Sequence, residues 1–202
     1  DLFAPAIAAA DGADRDALCV ARAGLRAHGL SLTHTHVRLN STQLHNAVRQ
    51  RLGITDAIDD MAHRRALLVA INAALDTVEP VPVDFGGLLA EQASASRLMM
   101  TVAQMLKHID GSVPVRFLIA ETESGYTLLT ALWLARRFGI ADQIEISPLF
   151  ETAEALDQGA RVLSEALRSP HWRAHPPAAE IGRLFGRNVA DGLRAAWLAG
   201  AL

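Results

Sequence analysis

A strand-length apolar run that leads straight into a capped helix occurs three times in this chain. Strands that alternate with helices imply parallel pairing, because parallel neighbours need a crossover connection that a tight hairpin cannot supply. Residues 115–120, Val-Arg-Phe-Leu-Ile-Ala, form one such run, and Ser124 is placed to cap a helix over 126–138. Residues 144–147 form the next, with 148–151 as the loop at the strand's C-terminal end and Thr152 capping a helix to 168. The earliest lies in 30–39, where alternation puts Thr33, Thr35 and Val37 on one face and His34, His36 and Arg38 on the other. Asn40 and Ser41 can then cap a helix through Thr42, Leu44, Val48 and Leu52 that ends near Gly53.

A parallel sheet needs helices over it, as in a doubly wound sheet or a (β/α)8 barrel. No glycine-rich phosphate loop follows any of the three strands, which argues against a dinucleotide site or a nucleoside triphosphatase. The expected fold is therefore a helix-rich α/β structure, a partial (β/α)8 TIM-type barrel whose remaining strands come from further sequence or from a partner. Long helices are expected over 14–28, 55–77 and 84–108, the latter two inserted between the first and second strand units. Pro80 and Pro82 mark the connector between them. With 202 residues, half of them hydrophobic, one domain over 1–202 is the starting expectation.

The formal net charge of −3 gives no electrostatic case for nucleic acid or an anionic membrane as partner. No apolar run reaches the roughly 18 residues of a membrane span, and the N-terminal residues lack the pattern of a signal peptide. The lone Cys19 excludes an intrachain disulfide and fits a reducing compartment, so a cytoplasmic location is expected. Lys107 is the only lysine in an arginine- and alanine-rich chain, a bias attributed to genomic base composition. A first residue other than Met, and an end at Leu202 directly after a helical pattern, suggest artificial or incomplete boundaries.

In barrels the chemistry sits at the C-terminal ends of strands. The first such place offers His34, His36, Arg38, Asn40 and His45. An arginine there can grip phosphate or carboxylate through two parallel hydrogen bonds, or these polar residues can simply satisfy backbone groups at the strand end. The three histidines also raise a metal site, although His-x-His spacing is common by chance. Glu151 stands where a carboxylate can ligate Mg2+, or where a helix dipole favours an acid. Glu121 and Glu123 carry the same two readings, and Glu145 is a reserve ligand.

Ser147-Pro148-Leu149-Phe150-Glu151-Thr152, followed by a helix and then Ser169-Pro170-His171-Trp172-Arg173, resembles the P-L-F-E-T segment of phosphoenolpyruvate carboxylases. Residues 116–124 resemble that family's strand ending in S-M-A and the S-D that opens its helix. Residues 37–45, Val-Arg-Leu-Asn-Ser-Thr-Gln-Leu-His, resemble its I-R-Q-E-S-T-x-x-H element, retaining Arg38, Ser41, Thr42 and His45. The three segments stand in the family's order and span about residues 30–172. The resemblance implies that bicarbonate attacks the phosphate of phosphoenolpyruvate to give carboxyphosphate and an enolate, which captures carbon dioxide to form oxaloacetate. It implies Glu151 as a ligand of Mg2+, with Mn2+ as an alternative, and Arg38 as a substrate-binding arginine. It also implies a homo-oligomeric full-length enzyme.

The chain departs from the pattern after residue 173. Where the family carries a second metal carboxylate in G-Y/F-S-D-S, residues 181–187 hold no aspartate, and Asp191 falls several positions later. Residues 1–173 are thus family-like and 174–202 a divergent tail. The family's catalytic histidine segment and its phosphate loop are absent, so no catalytic residue is assigned and this piece is expected to be inactive alone. Two other readings stand beside this one: a non-catalytic, barrel-derived module that binds an anion or a partner chain, and a Mg2+-dependent barrel enzyme acting on an enolate, such as an aldolase or mutase.

Overall fold

The computed structural model describes residues 2–28, 35–55 and 63–175. It is a helix-rich α/β fold built on a three-stranded parallel sheet. In chain order the elements are α1 (Phe3–Ala9), α2 (Gly12–His28), β1 (His36–Asn40), α3 (Ser41–Leu52), α4 (Arg64–Thr77), α5 (Phe85–Ala90) and α6 (Ser94–His108). They are followed by β2 (Val115–Ala120), α7 (Gly125–Arg137), a 3-10 turn (Ala141–Gln143), β3 (Ile144–Pro148), α8 (Ala153–Arg168) and α9 (Pro170–Ala174). The sheet order is β1-β2-β3, both pairs parallel, with Arg38 opposite Leu118 and Leu118 opposite Ser147.

The two faces of the sheet differ. Successive side chains on a strand alternate, and residues opposite one another share a face. One face carries Leu39, Val115, Phe117, Ile119, Ile144 and Ile146, all buried, and the helices pack on it. The other carries His36, Arg38, Arg116, Leu118, Glu145 and Ser147 in two rows. Its first row holds an ion pair, Arg116 to Glu145 at 3.4 Å. Helix α7 runs through the centre of the helical layer: every residue from Gly125 to Ala135 is buried, and it packs against α3, α4, α6 and α8. Burying its leucines, Leu128, Leu129, Leu132 and Leu134, contributes about 1.5–3 kcal/mol each.

Local signals account for most boundaries. Asn40 caps α3 through a capping box with Gln43, and Gly53, at φ 65°, closes it in the left-handed region that glycine adopts without strain. Ser124 and Thr152 cap α7 and α8 with their side-chain oxygens. The connector around Pro80 and Pro82 is pinned at Val81, whose N–H donates to the Arg137 carbonyl, and at Val83, whose carbonyl accepts from Gln104. No helix among the described residues is long and apolar enough to cross a membrane.

Four expectations need correction or limits. The single helix expected over 84–108 is two, α5 and α6, because Glu91 closes α5 as its extended C-cap: its carboxylate accepts from the Ala93 N–H two residues on, and Arg97 donates to its carbonyl. A side chain that offers the backbone such a local bond competes with the helix ladder, and Gly86-Gly87 weaken α5 further. The strand expected over 30–39 runs over His36–Asn40, residues 30–34 lying outside the described ones. The helix expected over 55–77 is seen as α4, with 56–62 outside the described residues. The tail beyond 175, including 181–187 and Asp191, is also outside them.

Candidate functional site

Arg38 leaves the sheet from β1 and Glu151 follows β3, with β2 between them. Two strand spacings amount to about 10 Å. The arginine spans that distance over the end of β2, and its Nη2 donates to Glu151 Oε1 at 2.5 Å. Two residues 113 positions apart are therefore joined at the C-terminal ends of three parallel strands. The Arg38 side chain is 56% exposed and that of Glu151 26%, so solvent and a small solute can reach both. Glu151 immediately precedes Thr152, the residue that caps α8, and so stands just outside the first turn of that helix.

The remaining candidates disperse. His34 lies outside the described residues. His36 shares the exposed face of β1 with Arg38, whereas His45 is buried on α3 and its Nδ1 lies 3.0 Å from the Tyr126 hydroxyl of α7. A three-histidine metal site is thereby excluded for His36 and His45, which point to opposite layers. Asn40 serves the α3 cap. Glu145 sits one row back in its pair with Arg116. Glu121 ends β2 at φ 55°, an uncommon conformation for a residue with a Cβ, and it sharply turns the chain away from the strand.

Sequence reasoning missed the clamp that holds the loop after β2. Glu165 on α8 accepts from the Gly125 N–H at 2.9 Å, so a carboxylate from another helix sits on the N-terminus of α7. Arg161 grips Glu165 at 2.7 Å and donates to the Glu123 carbonyl at 3.0 Å. The i,i+4 spacing of Arg161 and Glu165 was visible in the sequence, but their target forty residues earlier was not. Between the loops after β2 and β3 lies a cleft of about 190 Å3, lined by Arg64, Thr122, Glu123, Thr152, Glu154 and Arg161 among others. Its mixed charge favours neither anion nor cation.

Mg2+ takes oxygen ligands and is commonly held by one or two carboxylates, with water and substrate phosphate completing the shell. Glu151 offers one carboxylate, one oxygen of which is engaged by Arg38. No group of three or more His, Cys, Asp or Glu that could hold a metal occurs among the described residues. The described residues thus fit one ligand position of such a shell and no more.

The sequence profile of the phosphoenolpyruvate carboxylase family matches residues 10–180. A phosphoenolpyruvate carboxylase of Xanthomonas euvesicatoria pv. vesicatoria (strain 85-10) is 30% identical over 157 residues, covering 75% of this chain and 17% of its own length. The phosphoenolpyruvate carboxylases of Xanthomonas oryzae pv. oryzae (strain MAFF 311018) and Xanthomonas campestris pv. campestris (strain 8004) are each 28% identical over 156 residues, with the same coverage. The chain therefore spans about a sixth of the length of these curated relatives.

Proposed function

The chain belongs to the phosphoenolpyruvate carboxylase family, and on that premise we propose that it is the part of such an enzyme that supplies Arg38 and Glu151 to the site where phosphoenolpyruvate reacts with bicarbonate. The observation that carries this reading is the meeting of Arg38 and Glu151 at the C-terminal ends of parallel strands, where barrel enzymes place their chemistry. The polar face of the sheet, with its rows of charged residues, would then be the interior of a partial (β/α)8 barrel completed by the longer enzyme.

In this reading Arg38 binds the phosphoryl or carboxylate group of phosphoenolpyruvate, since a guanidinium fork matches either anion. Glu151 is one ligand of Mg2+ or Mn2+, and a bound divalent ion would offset negative charge on the enolate oxygen. The β2–α7 loop, fixed by Glu165 and Arg161, walls the site between them. Reaction partners are phosphoenolpyruvate and bicarbonate, the product is oxaloacetate, and the full enzyme is a cytoplasmic homo-oligomer.

Two measurements test this. Isothermal titration of the 202-residue chain with Mg2+ should give millimolar or weaker affinity that is lost in Glu151→Gln, because one carboxylate leaves most of the shell to water. Binding unchanged by that substitution removes Glu151 from the metal. A coupled oxaloacetate assay of the same chain with phosphoenolpyruvate, bicarbonate and Mg2+ should show no turnover. Turnover abolished by Glu151→Gln would show that this sixth of the enzyme is sufficient.

A further inference from the structure

We propose that Glu151 is a built-in competitor for the anion that Arg38 binds: the two side chains latch across the end of β2, and an anion enters only by taking Arg38 from Glu151. This rests on the reading of Arg38 as an anion-binding residue and adds how its access is controlled.

The geometry supports it in three ways. A carboxylate oxygen already accepts a charge-assisted hydrogen bond from Nη2, so Glu151 presents to Arg38 the same chemical group an anionic ligand would. The arginine reaches it by crossing β2, the strand between β1 and β3, so the closed pair lies over the strand ends where a ligand would sit. Finally, exchange is easy. More than half of the Arg38 side chain is exposed, and an exposed ion pair is weak, so a phosphoryl dianion can displace the carboxylate without opening the fold. Glu151 then turns to solvent, or to a cation. The two charges of the site thus mask each other until a ligand separates them.

Titration with inorganic phosphate in the presence of a chelator, followed by 31P NMR, tests this on the 202-residue chain without any metal. Glu151→Gln and Glu151→Ala should each bind phosphate about two- to fivefold more tightly than the unaltered chain, the range set by the weakness of exposed pairs. Arg38→Ala should bind more weakly than either, and Arg38→Ala combined with Glu151→Gln should match Arg38→Ala. Glu154→Gln, three residues on and without a contact to Arg38, should leave the affinity unchanged. Circular dichroism verifies that each variant is folded. Equal affinity for the unaltered chain and both Glu151 variants, no binding in all three included, overturns the competitor role. So does a Glu154→Gln gain as large as that of Glu151→Gln, which would mean general repulsion instead of a latch. If Arg38→Ala binds as well as the unaltered chain, the anion site itself is misplaced and both readings fall; weakening there with no gain at Glu151 removes the latch alone.

Discussion

Tyr126 is the chain's only tyrosine, fully buried against His45, and burial pushes its hydroxyl up to about 12 from an ordinary value near 10. Below about pH 10 both folded and unfolded chains hold this proton. Between about 10 and 12 the unfolded chain alone gives it up, so stability falls as pH rises through that window, by up to about 1.4 kcal/mol per pH unit from this group. Tyrosinate absorbance near 295 nm should therefore appear only near pH 12 in the folded protein. Ionisation near pH 10 with the fold intact would show that the hydroxyl is wet. Its neighbour Gly125 is constrained by space. A Cβ there would stand 2.6 Å from the Glu165 Cβ and 2.7 Å from the Ala166 nitrogen, and a helix backbone cannot yield as a flexible side chain does. Gly125→Ala should cost about 1–3 kcal/mol in denaturant unfolding. The sequence showed Gly125 only as a helix start after Ser124; the reason it must lack a side chain is the approach of α8, forty residues later.

At the level of elements, each strand of the site runs into a helix through a side-chain cap, and these caps were readable because they span only three residues. Asn40 and Gln43 exchange both bonds of a capping box, with the Gln43 N–H donating to Asn40 Oδ1 at 2.9 Å. Asn40→Ala should cost about 1 kcal/mol of stability. Because Asn40 is also the last residue of β1, it should further loosen Arg38, seen as faster exchange of the amides of residues 38–43. The element that deceived was the stretch over 84–108, whose apolar spacing continues through the break at residues 91–93. A periodic pattern reports which face is buried, and α6 and, through Leu88 alone, α5 pack on the same core while the chain between them bends around Glu91.

For the whole molecule, β1 and β3 each pair with a single strand among the described residues, so each has an outer edge. An unpaired edge of backbone donors and acceptors recruits further strands. The chain should associate as its concentration rises in size-exclusion chromatography, and a strictly monomeric, cooperatively melting protein would count against a partial barrel. The sequence by itself determined the three strand–helix units, their parallel pairing, the caps and the family, because all of these are carried by neighbours along the chain or by motifs of a few residues. It also singled out Arg38 and Glu151 and, through the barrel expectation, put both at the C-terminal ends of neighbouring strands, facing one cleft. Only the tertiary structure decided that they touch, that His45 turns into the core away from His36, and that Glu165 caps α7. Those contacts depend on sheet order, strand register and the packing of α7 against α8. Such relations join residues 40 to 113 positions apart, and no local pattern in the sequence records them.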